Sequence, residues 1–298
     1  MRYLIAFCIG LSLFSCETLI NDIDPAKLGI QEENLVINSY LNPSDSIITA
    51  KVHLTKPIFA TKPANFTFGE IDNIVTDAKV EISSQTQKIS LIYNTTEKIY
   101  MANKKDFKIN PKESYSLKVT DNKGKTYTSS TVIPEAVEYT IGTLVEKQNQ
   151  NQNNNSTYKF RQFDVSIEIN LAPNSYIVGS QEFSYQIFNQ NTKTYSPNFY
   201  PRDINIENLK NENTVNKKEK IATSIYLNYD EKIASDFKTK IVISNFDKNL
   251  YLYNKSVKDS YNSDNPFVEP SLIKTNINGA LGCFGSYNKN EKILPIKY

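Results

Sequence analysis

The chain has 298 residues, with 34 lysines and arginines against 32 aspartates and glutamates and a formal net charge of +2. The two signs are interspersed, which excludes the basic stripe by which proteins track nucleic-acid phosphates. One histidine and three cysteines are too few for a histidine- and cysteine-rich metal centre or a disulfide framework, so stability has to come from an apolar core.

Met1-Arg2-Tyr3 and the apolar run Leu4 to Leu13 have the charged start and hydrophobic centre of an export signal, and are too short to span a bilayer as a helix. Leu13-Phe14-Ser15-Cys16 then puts an apolar residue three places before a cysteine and a small one directly before it, the lipobox pattern of bacterial lipoproteins. The expectation is cleavage after Ser15, diacylglycerol on the Cys16 sulfur and a further acyl chain such as palmitate. The competing reading is an ordinary secretory signal that happens to end near a cysteine. Each buried methylene contributes about 0.8 kcal/mol, so several acyl chains anchor firmly where one does not. Cys8 leaves with residues 1–15 and Cys16 is capped, which leaves Cys283 without a partner in the chain. Residues 16–33 are polar and broken by Pro25 and Gly29, as a tether would be.

From residue 34 the apolar period is two. Ile48, Ala50, Val52 and Leu54 alternate with Thr49, Lys51, His53 and Thr55, so a strand with one wet face is predicted, His53 on that face. The pattern recurs at Leu35 to Leu41, Ala78 to Ile82, Ile89 to Tyr93, near Ile99, at Tyr115 to Val119 and at Tyr127 to Ile133. About seven strands in roughly 100 residues predict a β-sandwich over 34–134. The long loop from Pro57 to Gly69 holds Phe59, Phe66 and Phe68 and reads either as a lid on that core or as a contact surface.

Residues 135–298 read as a second β-rich domain. It opens with one strand over Val137 to Val145, followed by the polar tract Gln148 to Ser156 as an exposed loop. Alternating strands follow at Phe163 to Ile169, Phe183 to Ile187, Ile225 to Leu227 and Ile241 to Ile243. Leu250, Tyr253, Val257 and Tyr261 return every three or four residues behind Asp247, predicting one amphipathic helix with Asp247 as its N-cap. The fold class is therefore mainly β: two sandwich-like domains, the first immunoglobulin- or transthyretin-like, and one short helix near the C-terminus.

Candidate chemistry is sparse. Serine or cysteine catalysis would have to run through His53. Asp259, Asp264 and Glu269 lie near one another in sequence but lack the spacing of a calcium loop, and no metal or cofactor is expected. Gly279, Gly282 and Gly285 lack the Gly-Lys-Ser/Thr of a phosphate loop; they read as bends or close backbone approaches, with a docking surface as the alternative. Cys283 lies between apolar neighbours and reads as a small buried hydrophobe. Lys104-Lys105 and Lys217-Lys218 read as solvated loop positions. Tyr195, Phe199 and Tyr200 cluster in a proline-bounded stretch, Tyr195 to Pro201, read as a loop that stacks on a sugar or peptide or else completes the core edge.

The lipobox, Asn34 to Leu41 (NLVINSYL), Asp77 to Ile82 (DAKVEI), Tyr115 to Val119 (YSLKV), Asn265 to Pro270 (NPFVEP) and Asn276 to Gly282 (NINGALG) together resemble the domain of unknown function 4249 family. That resemblance spans nearly the whole processed chain and implies an outer-membrane lipoprotein of Gram-negative bacteria, often encoded beside a TonB-dependent outer-membrane transporter. It carries over no catalytic residues, and Ala280 stands where the family often has a second glycine. The functional expectation is a non-enzymatic lipoprotein of the outer membrane, on its periplasmic or its outer face, that assists such a transporter in nutrient capture or uptake. The alternatives are a stand-alone glycan- or peptide-binding module and a carboxylate-based hydrolase.

Overall fold

Residues 35–41 alternate buried and half-buried along β1 (Leu35–Leu41), with Ile37 and Leu41 inward. A computed structural model describes residues 33–55, 73–147, 158–204, 209–230, 232, 234–261 and 272–296. The same period-two rule builds β2 (Ile47–Leu54), β3 (Lys79–Ser83), β4 (Lys88–Asn94), β5 (Ile99–Asn103), β6 (Ser114–Thr120) and β7 (Thr126–Val132). These pair antiparallel in the order β1-β2-β5-β4-β3-β6-β7. Their inward residues, among them Ile37, Val52, Ile82, Leu117 and Tyr115, share one core. Each such aliphatic side chain stabilises the fold by about 1.5–3 kcal/mol on leaving water. Glu81 is buried on the opposite face of β3 from Val80 and Ile82, where it is bound by Lys79 at 3.3 Å and Lys88 at 2.6 Å.

The second core lies between two sheets. One is β14 (Lys217–Asp230), β10 (Tyr158–Leu171) and β8 (Tyr139–Ile141), with β9 (Val145–Lys147) also on β10. The other runs β12 (Thr194–Ile204), β11 (Ser175–Asn189), β15 (Ala234–Phe246) and β16 (Leu281–Pro295), with β13 (Lys210–Asn211) beside β11. Val165, Ile167, Phe183, Ile225, Leu227, Phe237 and Ile241 fill the space between them. The chain is thus mainly β and sandwich-like, with one described α-helix, α1 (Lys248–Tyr261). No described helix is long and apolar enough to cross a membrane.

One strand belongs to both cores. Residues 281–286 of β16 run parallel to residues 36–41 of β1, and residues 287–295 run antiparallel to β15. Ile277 and Phe284 accordingly pack in the first core, although the sequence reading gave everything after 134 to the second unit.

Several local expectations change. Val137 to Val145 is two short strands, not one. They part where Gly142 passes so close to Ser166 that a Cβ would lie 2.5 Å from its Oγ. Lys217 and Lys218 open β14 and do not lie in a loop. His53 is half-buried, not solvated, because Val36 flanks it on one side and Ile74 on the other. Its Nδ1 is shielded and has no hydrogen-bond partner among the described residues. Burial, followed by nearby Lys51, holds its pKa below the usual histidine value. The signal and tether, the Pro57 to Gly69 loop and the Gln148 to Ser156 tract lie outside the described residues, apart from Glu33.

Candidate functional site

Tyr195 to Pro201 is not a loop but most of β12, the strand at the end of the long sheet. Asn189 sets the preceding turn by accepting the amides of Asn191 at 2.9 Å and Thr192 at 3.2 Å. The chain then pairs back in unbroken register, Phe188 opposite Tyr195, Gln186 opposite Pro197 and Ser184 opposite Phe199. Pro197 and Pro201 are tolerated because proline, lacking an N–H, fits an edge strand with its nitrogen turned from the ladder. Their shared parity points both the same way, which also strips donors from the free edge and blunts strand addition there.

That register divides the aromatic cluster. Tyr195 and Phe199 share the outward face, 61% and 56% exposed, with Pro197 between them. Four strand residues put them about 13 Å apart. Tyr195 leans on half-buried Phe188, ring centroids 5.0 Å apart. On the other parity, Asn198 donates to the hydroxyl of buried Tyr185 at 3.2 Å, and Tyr200 sits opposite Phe183, a core residue. Tyr200 therefore does not share a register face with the other two. Further along the outward face the charges are matched: Lys240 lies 3.1 Å from Glu182 and 4.0 Å from Glu291, and Lys289 lies 2.7 Å from Glu291. The face thus offers aromatic rings beside amide and hydroxyl groups, a combination suited to stacking against a sugar ring or an apolar side chain.

The glycine cluster is a junction. A Cβ on Gly282 would lie 2.1 Å from the Ile37 carbonyl oxygen, and its φ of +99° is one that side chains resist. A Cβ on Gly285 would lie 2.6 Å from the Leu250 Cβ, so α1 rests on bare backbone. Asp247 caps α1 as the sequence predicts: its Oδ1 accepts the amides of Asn249 at 2.8 Å and Leu250 at 3.2 Å. Its Oδ2 accepts the Ser286 amide and, at 3.0 Å, the Thr131 hydroxyl, binding β7, β16 and α1 at one carboxylate. Burial raises the Asp247 pKa, opposed first by the Ser286 amide. Cys283 is buried and free, and burial, then the Asp247 charge, pushes its thiol up to about 12. Such a thiol behaves as a small hydrophobe and not as a nucleophile.

The remaining candidates disperse. Asp259 pairs with Lys255 at 3.5 Å along the helix, and Asp264 and Glu269 lie outside the described residues, as does Cys16. No group of three histidine, cysteine, aspartate or glutamate side chains converges among the described residues. What the sequence reading missed is the parity of 195, 197, 199 and 201. That alternation signals a strand, but two prolines in seven residues masked it as a loop.

Fold and site together define a mainly β protein with two cores, whose candidate site is an outward sheet edge and not an enclosed pocket. The profile of the family described as Domain of unknown function (DUF4249) matches residues 20–293, and the chain belongs to that family. No curated protein matches the chain. Among solved structures, the C-terminal globular domain of an oligosaccharyltransferase from Pyrococcus abyssi is similar at 9% identity with a TM-score of 0.15. The match covers 89% of this chain and 49% of that one, so the chain spans about half that structure's length.

Proposed function

We propose that this protein is a non-enzymatic lipoprotein, anchored through acyl chains on Cys16 in the outer membrane, that assists a TonB-dependent transporter in capturing or admitting a nutrient. The observation that carries the binding role is the pair Tyr195 and Phe199, held outward on a strand whose register fixes them. Large rings left in water forgo about 1.5–3 kcal/mol each of burial, and a partner or ligand that covers them recovers it. The anchor is supported by the lipobox, and the transporter by the usual neighbours of the family the sequence resembles. The same two rings favour a second reading, a stand-alone glycan- or peptide-binding module.

Affinity capture of the tagged protein from solubilised outer membrane is expected to bring down a TonB-dependent transporter, and the Tyr195→Ala/Phe199→Ala double variant to lose it. Capture by the double variant at the wild-type level would remove the aromatic edge from the reading. No transporter with either protein would reject the accessory role. Mass spectrometry of the mature protein should find the lipid mass on Cys16, and an unmodified amino end would refute the anchor.

A further inference from the structure

An open cleft of about 630 Å³ lies where the entry to β8 meets the ends of β10 and β14, within the roughly 300–1,000 Å³ of small-ligand sites. Ala136 and Ala172 line it as exposed small residues, and Leu171 beneath it is fully buried in the second core. Its rim is a row ordered by the sheet. The Asn170 amide donates to the Glu138 carbonyl at 3.1 Å on one side, and Asn170 pairs with Lys218 on the other. Two strand spacings put the Glu138 and Lys218 backbones about 10 Å apart.

The charges at the two ends of this row are uncompensated. Lys217, also at the rim, is bonded to Glu219, and Lys220 reaches Glu168 at 3.9 Å. Lys218 forms no ion pair among the described residues. The bond described for the Glu138 carboxylate comes from the neutral Asn290 amide at 3.4 Å. A carboxylate and an ammonium thus flank Asn170 in this row, and Asn216 also lines the cleft. A polyanion would be repelled at one end and a polycation at the other.

We propose that the cleft binds a short peptide with both ends free, the α-amino group at Glu138 and the α-carboxylate at Lys218. Asn170 and Asn216 meet the peptide backbone, and the small side chains of Ala136 and Ala172 leave room beside it. An extended residue rises about 3.3 Å, so a di- or tripeptide spans the row. This goes beyond the accessory reading and does not depend on the aromatic edge.

Calorimetric titration of the mature protein with trialanine tests it. Saturable binding is expected, weaker by about a hundredfold for the acetylated and amidated peptide, which loses a charge-assisted hydrogen bond worth about tenfold at each end. Lys218→Ala and Glu138→Gln should each weaken trialanine by about tenfold, with Lys220→Ala as wild type. Trialanine amide should bind wild type and Lys218→Ala equally. Both rim positions are exposed, and an unchanged melting temperature keeps the comparison clean. Absence of saturable binding at millimolar trialanine, or equal affinity for the blocked peptide, overturns the proposal. The Tyr195→Ala/Phe199→Ala protein should still bind trialanine, so failure of the accessory reading and failure of this one are separate results.

Discussion

The junction at Gly282, Gly285 and Asp247 and the edge at Tyr195 and Phe199 are made of the same material, β-strand, and do opposite things. At the junction backbones approach until no side chain fits, and every polar atom of Asp247 is bonded. At the edge large rings stand in water over a ladder paired on one side. A site that tolerates no change holds the molecule together, and a site that tolerates change in stability is free to be spent on recognition. The contrast is open to measurement.

The largest expected effect is Gly282→Ala. Its Cβ meets the Ile37 backbone, which cannot move aside like a side-chain tip, and positive φ adds strain. Overpacking and backbone strain each cost about 1–3 kcal/mol, so a loss near 4 kcal/mol in denaturant unfolding is expected. Gly124→Ala, at φ +82° with nothing within 4 Å, should cost only about 1 kcal/mol. Equal losses would mean that the approach of β16 to β1 is not what Gly282 serves. Next is Asp247→Ala, which removes a helix cap and strands the Ser286 amide, for a loss of about 2–4 kcal/mol. Asp247→Asn should recover only part, because an amide nitrogen in place of Oδ2 faces the Ser286 N–H.

Acid titration separates two carboxylates whose pKa values are shifted in opposite directions. Burial raises the Asp247 pKa, so that between the ordinary aspartate value and the raised one the native state holds a proton the unfolded chain lacks. Stability from this group therefore falls as pH rises through that window. Glu81 is depressed, first by its bond from Lys88. Its contribution is present above the ordinary glutamate value and is lost as pH falls through the lower, folded one. Glu81→Gln should cost less than about 1 kcal/mol near neutrality, since both lysines are largely exposed. The variant should converge on wild type at strongly acid pH, and a gap that persists there would assign the effect to packing. The smallest stability effect belongs to the Tyr195→Ala/Phe199→Ala double variant, within about 0.5 kcal/mol per site, even as capture is lost. A melting shift of several degrees would show the rings to be structural.

Where a residue's environment is set by its own strand, the sequence was readable. The alternation at 35–41 and 48–54, the cap at Asp247 and the apolar seat of Cys283 all came through. His53 did not, because its cover comes from Ile74, twenty-one residues on, and alternation is blind to a strand on the flank. Nor did β12, where proline outweighed parity. The candidate aromatics were legible as residues, but the separation of Tyr200 from Tyr195 and Phe199 follows from register with β11, which no local pattern carries.

The order of side chains by itself determined that the chain is mainly β and where the helix begins, since period and capping are local properties. Only the tertiary structure decided that β16 serves both cores and that Glu138 and Lys218 face one cleft. Those facts depend on which distant strands become neighbours, and burial of the whole apolar surface selects that pairing at once.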